Sequence, residues 1–169
     1  MPRSRNPTWL IDPERQTPGM TDLVQFTTQQ RINLPARLLK GLEWFDKPEA
    51  TGEILALMKL DEPGRLSLLS WRVHSPAVLQ RRQELVERAE DEQEALEALI
   101  LLDDRYFRIQ IERTGRLLLP LPALAHLYGE GPFYHPLYVV RARDRIELWS
   151  QTYRNQRISV SSHLLEDLP

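Results

Sequence analysis

The chain of 169 residues contains no cysteine. This absence excludes disulfide bonds, a thiol nucleophile and thiolate metal sites, and it fits a reducing compartment such as the cytoplasm. No apolar run approaches the roughly 18 residues that a membrane-spanning helix needs, and the first residues lead into no apolar signal segment. We therefore expect a cytoplasmic protein without a membrane partner.

Motifs of the common enzyme and metal sites are also missing. The four histidines stand 52, 9 and 28 residues apart, so no two of them have the spacing of a helical zinc site. There is no G-x-S-x-G elbow, no P-loop and no G-x-G-x-x-G fingerprint. The carboxylates crowd on one predicted helix instead of flanking an apolar pocket. These absences predict that the protein is not an enzyme and holds no metal or cofactor.

Charge is distributed unevenly, although the net charge is only −2. Residues 105–157 carry nine arginines against four acids, whereas residues 76–104 carry three arginines against nine acids. Residues 21–75 are balanced, with seven cations and seven acids. This asymmetry permits a basic face for phosphate groups, although a simple solvated surface would have the same composition.

The stretch from Phe107 to Ser150 organises the chain. Its apolar residues first alternate with polar ones, which predicts a strand, and Pro120 ends the strand that follows because proline cannot donate to a ladder. The elements predicted in this stretch are a strand at Phe107–Ile111, a turn at Arg113–Gly115, a strand at Arg116–Leu119, a helix at Pro122–Tyr128, and strands at Leu137–Arg141 and Arg145–Trp149.

The same unit occurs earlier in the chain. Residues 24–26 and 31–35 match residues 109–111 and 116–120 at an offset of 85, residues 54–57 match 137–140, and residues 65–68 match 145–148 at an offset of 80. Two copies are too few for a solenoid. We therefore predict an α+β fold in which two tandem ββ-helix-ββ units interlock as a pseudo-two-fold pair, related by symmetry and unable to fold separately.

A charged helical segment joins the two units. Ser75-Pro76 predicts a helix start, because Ser offers an N-cap oxygen and Pro fits the first helical position. The acidic cluster near Glu90 divides the segment into two predicted helices. An apolar stripe runs along them, which suits a helical hairpin between the units or a subunit interface. The stripe consists of Leu79, Val86, Ala89, Leu96 and Ile100.

Outside these elements the chain is predicted to be loops and tails. Residues 1–20 are proline-rich and predict a flexible arm, and Trp44 and Phe45 are expected to cap the sheet. A last helical turn is predicted from Ser162. The predicted organisation is thus an arm (1–20), a double domain (21–157) made of a first copy (21–75), a helical linker (76–104) and a second copy (105–157), and a tail (158–169).

The predicted elements follow one order: a strand, the motif R-x-x-L-P, a short helix, an apolar strand and the motif D-R-I-E-L-W. This order resembles the swapped-hairpin β-barrel of the AbrB and SpoVT class of DNA-binding proteins. The tandem arrangement with a helical linker is similar to the MraZ family in particular, over about residues 21–157. The family signature is D-x-x-x-R in each copy. This sequence has Glu112 before Arg116 and Thr27 before Arg31, with Gln30 where Gly115 stands.

The resemblance implies double-stranded DNA as the partner and nominates the loop around each signature as the DNA-facing part. Arg31, Arg113 and Arg116 are the DNA-binding candidates. Thr27, Glu112 and Gly115 are the residues expected to support the motif, because a carboxylate at 112 can orient an arginine or cap the turn. Structural pairing of these arginines within the barrel is the alternative, and Arg141, Arg143 and Arg145 are expected to serve a strand edge.

Three functions fit the resemblance. The first is a MraZ-like transcription regulator, associated with the nucleoid, that binds DNA as a ring-like homo-oligomer. The second is an oligomeric scaffold, or a protein that binds a partner protein, with a degenerate DNA face. The third is an antitoxin, which the fused double unit and the short C-terminal tail count against.

Overall fold

The computed structural model describes residues 20–28, 30–47, 52–131 and 133–166. The predicted N-terminal arm lies outside these residues except for Met20. No helix within the described ranges is long and apolar enough to cross a membrane.

The described residues form strands and helices in a mixed order. The strands are β1 (Thr21–Val24), β2 (Phe26–Thr28), β3 (Arg31–Asn33), β4 (Ile54–Leu60), β5 (Arg65–Ser70), β6 (Tyr106–Ile111), β7 (Arg116–Leu118), β8 (Leu137–Arg141) and β9 (Ile146–Trp149). The helices are α1 (Ala36–Leu39), α2 (Glu43–Asp46), α3 (Trp71–Arg88), α4 (Glu92–Asp103), α5 (Leu121–Tyr128) and α6 (Gln151–Ser161), followed by a 3₁₀ turn at Ser162–Leu165.

All nine strands belong to one antiparallel sheet with the order β1-β8-β9-β5-β4-β6-β7-β3-β2. The two strands at the ends of this order, β1 and β2, follow each other in the chain and are separated only by Gln25. The sheet therefore curls round until its ends meet in one stretch of backbone, which makes it a nearly closed barrel. The predicted α+β class is confirmed.

The barrel interior is filled by the inward-facing residues of the strands, which alternate with outward ones as strand geometry requires. Ile32, Met58, Leu68, Ile111 and Leu148 are among the fully buried ones. Two short helices, α1 and α5, add leucines to this core. Each follows a Leu-Pro pair, and the fixed φ of the proline suits the first turn of a helix.

Trp44 and Phe45 on α2 pack against the core as partly buried side chains. The Trp44 indole N–H also donates to the Asp144 carbonyl at 2.8 Å, which fastens α2 to the β8–β9 turn. The prediction that these two aromatic residues cap the barrel is confirmed.

The predicted helix start at Ser75-Pro76 is wrong. Helix α3 begins at Trp71, capped by Ser70, whose hydroxyl accepts from the Val73 N–H at 3.3 Å. Pro76 lies inside the helix, where it removes one backbone hydrogen bond and its ring crowds the carbonyl of Arg72. The predicted division into two helices is confirmed, because α3 ends at Arg88 and Asp91 caps α4.

The predicted apolar stripe of α3 and α4 is largely exposed on the chain. Leu79 is 58% exposed, Leu96 51% and Ile100 50%. Helix α6 was not predicted. It begins after Ser150, whose hydroxyl accepts from the Tyr153 N–H at 3.1 Å, and it leads into the 3₁₀ turn at the position predicted for a last helical turn.

Candidate nucleic-acid interface

The centre of the candidate interface is the short ribbon formed by β3 and β7. Arg31 pairs with Leu118 and Asn33 pairs with Arg116 on either side of the central pair Ile32 and Leu117. The central pair is buried, so the alternation of the strands places Arg31 and Arg116 on the outer face. As diagonal neighbours in an antiparallel pair, the two residues are about 7–8 Å apart, with their Cβ atoms somewhat closer.

A turn lies at each end of this ribbon, and each turn is bound to the opposite strand. The Leu34 N–H donates to the Gly115 carbonyl at 2.9 Å, and the Leu119 N–H donates to the Gln30 carbonyl at 2.7 Å. Both turn residues are left-handed, with φ of +62° at Gln30 and +89° at Gly115. These reciprocal bonds fix where the two arginines leave the sheet.

Position 115 requires glycine for two reasons: its φ is left-handed, and there is no room for a side chain. A Cβ atom there would lie 2.6 Å from the Leu34 carbonyl oxygen and 3.1 Å from a Leu39 methyl group, closer than van der Waals contact allows. Gln30 occupies the same kind of backbone conformation with a side chain, at a cost of roughly 1–2 kcal/mol.

The candidate arginines are free of ion pairs within the described residues. Arg31 and Arg113 are exposed and Arg116 is half-buried, and no side-chain hydrogen bond or salt bridge joins any of the three to another described residue. The alternative was that these arginines form structural ion pairs inside the barrel. It would require an acidic partner, and none of the described residues provides one. Their donors are available to a ligand.

The three supporting residues act through the backbone. The Thr27 hydroxyl donates to the Arg31 carbonyl at 3.5 Å, and the Glu112 N–H donates to the Arg116 carbonyl at 3.0 Å. The Gly115 N–H closes the turn on the Glu112 carbonyl at 2.8 Å. The exposed Glu112 carboxylate has no hydrogen bond or ion pair among the described residues, so here it does not orient Arg116.

The arginines near the β8–β9 turn differ from one another. Arg141 is buried, 5% exposed, and its guanidinium donates to the carbonyls of Leu38, Lys40 and Ala142. Burial lowers its pKa, and the field of Asp46 opposes that shift. The expectation that Arg141 serves only a strand edge is wrong, because it anchors the end of α1. The sequence R-A-R-D-R resembles a charged surface run and contains no signal for this burial.

Arg145 belongs to a charged network on the outer face of β5 and β9. It donates to Glu147 at 3.0 Å and lies 3.2 Å from Asp144. Arg65 approaches the same Glu147 carboxylate from the other strand at 2.9 Å and also holds Glu62. Glu147 is 4% exposed, so two guanidinium groups compensate the cost of burying it.

Sequence reasoning missed an aromatic cluster beside β2. Phe26 contacts Tyr134 with ring centroids 5.2 Å apart and Tyr128 at 6.3 Å, and Phe133 extends the cluster. Tyr134 has φ of +69°, which is unusual for an aromatic residue. The adjacent residues Phe133 and Tyr134, followed by His135, are the signal in the sequence that could have indicated this packing.

Among the described residues, no group of three or more His, Cys, Asp or Glu side chains is arranged to hold a metal ion. Two clefts of 560 and 700 Å³ flank the helices outside the barrel.

No protein-family model matches the chain, and no curated protein is significantly similar to it in sequence.

Proposed function

We propose that the protein is a double-stranded DNA-binding transcription regulator of the MraZ type, built as a swapped-hairpin barrel and acting as a homo-oligomer. The observation that carries this proposal is the pair of arginines, Arg31 and Arg116, on the outer face of the β3–β7 ribbon with no carboxylate partner among the described residues.

Strand pairing supports the swapped arrangement of two equivalent units. Strand β1 of the first unit pairs with β8 of the second, and β6 of the second pairs with β4 of the first. Ile32 pairs with Leu117, and Ser67 pairs with Glu147. In each pair the two residues occupy equivalent positions of the two proposed units, as expected for residues that lie on a pseudo-two-fold axis. The Ser70 and Ser150 caps, 80 residues apart, extend the equivalence into α3 and α6.

In this proposal, the third strand of each unit is in a register two residues away from the sequence match of 54–57 with 137–140. Leu137 pairs with Val24, and Ala56 pairs with Ile109, the counterpart of Val24. Leu137 therefore corresponds to Ala56, and Arg141 corresponds to Leu60. Both members of each pair are buried, which favours this register.

Duplex DNA is the ligand that this surface suits best. Arginines spread over a sheet face neutralise phosphates of the backbone and release counterions, and this electrostatic part of binding is independent of sequence. Arg113, exposed in the β6–β7 turn beside Arg116, adds a third donor. The second unit, with its excess of arginine, supplies two of the three.

The test is salt-dependent affinity for duplex DNA. Changing Arg116 to Ala is expected to weaken binding about equally for all sequences and to reduce the slope of log affinity against log salt by about 1. Arg31→Ala is expected to have the same effect but weaker, because its unit carries no net charge. Fluorescence anisotropy at several salt concentrations measures both slopes.

Arg105→Ala is the matched control. Arg105 is exposed and without an ion pair among the described residues, but it precedes β6, about 20 Å along the strand from the β6–β7 turn. Its removal is expected to leave the slope unchanged. A wild-type protein that fails to bind duplex DNA at low salt would refute the proposal, and so would variants whose melting temperature falls in proportion to affinity.

The scaffold is the second candidate function, and one observation favours it. The exposed leucine and isoleucine side chains of α3 and α4 form a surface that a single chain leaves uncovered, as protein-binding surfaces commonly do. An oligomer that binds no duplex DNA would support this candidate.

A further inference from the structure

We propose that the 560 Å³ cleft between α2, the start of α3 and the β8–β9 turn binds a small planar organic anion. Its volume lies within the range of about 300–1,000 Å³ typical of small-molecule sites. The site is independent of the proposed DNA interface. The residues that define it are Trp44, Leu55, Arg72, Val73, His74 and Arg143.

One part of the cleft wall is apolar. The Trp44 indole is partly buried, and its N–H already donates to the Asp144 carbonyl at 2.8 Å, so the ring itself is what it offers to a ligand. Leu55 and Val73 line the same space, and Val73 is 69% exposed. A flat ring that packs on these side chains would bury their apolar surface.

The other part of the wall is cationic. The two carboxylates of the cleft are already paired, Glu43 with Lys47 at 2.8 Å and Asp144 with Arg145 at 3.2 Å. Arg72 and Arg143 stand at the rim, and Arg143 has no ion pair or hydrogen bond to any other described residue. These charges favour a ligand that carries a phosphate or carboxylate group.

The second unit provides an internal comparison. In the proposed equivalence of the units, the 700 Å³ cleft beside α5 and α6 is the counterpart of this one, and no Lys, Arg, Asp or Glu is among the described residues that line it. Thr152 and Pro63 stand where the first cleft has Arg72 and Arg143. The cationic rim therefore belongs to one cleft and is not imposed by the fold.

The test uses the full chain labelled with ¹⁵N and three probes: inorganic phosphate, phenol and phenyl phosphate. The indole N–H resonance of Trp44, assigned by its loss in Trp44→Phe, reports on the cleft. We expect a saturable shift with phenyl phosphate, at least tenfold tighter than with phosphate or with phenol, because only phenyl phosphate combines a ring with an anionic group.

Two variants test the two parts of the wall. Arg143→Gln removes a rim charge, and Val73→Tyr places a ring where the second unit has Tyr153; both positions are exposed, so neither change is expected to lower the melting temperature. Each should weaken phenyl phosphate binding at least fivefold, whereas Arg157→Gln on α6, outside the cleft, should not. The absence of saturation up to about 10 mM, equal binding of phenol alone, or unchanged affinity in both variants would overturn the site.

Discussion

At the scale of single residues, Gln30 and Gly115, which precede the candidate arginines Arg31 and Arg116, both have a left-handed φ. At Gly115 a Cβ atom would collide with the Leu34 carbonyl oxygen, whereas Gln30 carries its side chain at a φ that favours glycine. The left-handed φ is therefore strained at Gln30 and unstrained at Gly115.

This difference predicts that Gln30→Gly and Gly115→Ala change the free energy of unfolding in opposite directions. Gln30→Gly should raise the free energy of unfolding by up to about 1 kcal/mol, since relief of left-handed strain exceeds the entropy that glycine loses on folding. Gly115→Ala should lower it by more than about 2 kcal/mol, because strain and the 2.6 Å contact with Leu34 combine. Urea unfolding of both variants measures the changes. Equal destabilisation by the two substitutions would contradict the assignment of strain to Gln30.

At the scale of elements, the apolar stripe of α3 and α4 is not covered by the rest of the chain. An amphipathic helix normally buries its apolar stripe against a core. Here Leu96 and Ile100 are each about half exposed in the chain. Ser70 and Asp91 cap the two helices, and the exposed apolar side chains of the stripe are available to another subunit.

We therefore predict that the protein is a closed homo-oligomer of several subunits through this stripe. The double variant Leu96→Lys, Ile100→Lys should dissociate it while leaving the barrel folded, because lysine cannot be buried unpaired in a subunit interface. Light scattering gives the mass of each form, and circular dichroism confirms the fold. Leu164→Lys, at a residue 72% exposed in the 3₁₀ turn, is the control. A wild-type monomer at micromolar concentration would contradict the prediction.

At the scale of the whole molecule, neither unit completes its own sheet. Strands β6, β8 and β9 of the second unit take neighbours from the first, namely β4, β1 and β5. Residues 105–157 alone would keep the pairs β6–β7 and β8–β9 but would lose the second neighbour of β6, β8 and β9, which would expose residues that are buried in the full chain.

A fragment of residues 105–157 is accordingly expected to be unfolded alone and to fold when mixed with residues 1–104. The pairings between the two segments are non-local, and the loss of either fragment removes about half of the buried apolar residues described. Thermal unfolding followed by circular dichroism gives the answer. A cooperative melt of the monomeric 105–157 fragment would be incompatible with interlocked units.

Several elements of the fold could be predicted from sequence. The alternation of apolar residues indicated the strands between Phe107 and Trp149, a helix was predicted at Pro122–Tyr128, and the acidic cluster indicated the break between α3 and α4. The start of α3 could not be located, since Ser75-Pro76 has the composition of a cap while the actual cap, Ser70, directly follows a strand.

The candidate site was predicted less completely. The outward positions of Arg31 and Arg116 follow from alternation around Ile32 and Leu117, but their lack of partners depends on contacts between distant segments. The burial of Arg141 depends on the carbonyls of Leu38 and Lys40, about a hundred residues earlier in the chain. Acceptors so far away in the chain leave no recognisable pattern in the sequence around Arg141.

Ser67 and Glu147 face each other across β5 and β9, and the difference between their side chains has an electrostatic consequence. In a dimer of two identical units, whichever residue occupied this position would face its own copy across the axis. Two glutamates directly opposite each other would repel, and each would compete for the same arginines. In the single chain, Ser67 leaves room for one carboxylate, which takes a guanidinium from each strand. A single carboxylate at this pair of positions, facing Ser67 and paired with Arg65 and Arg145, therefore depends on the two strands carrying different residues there.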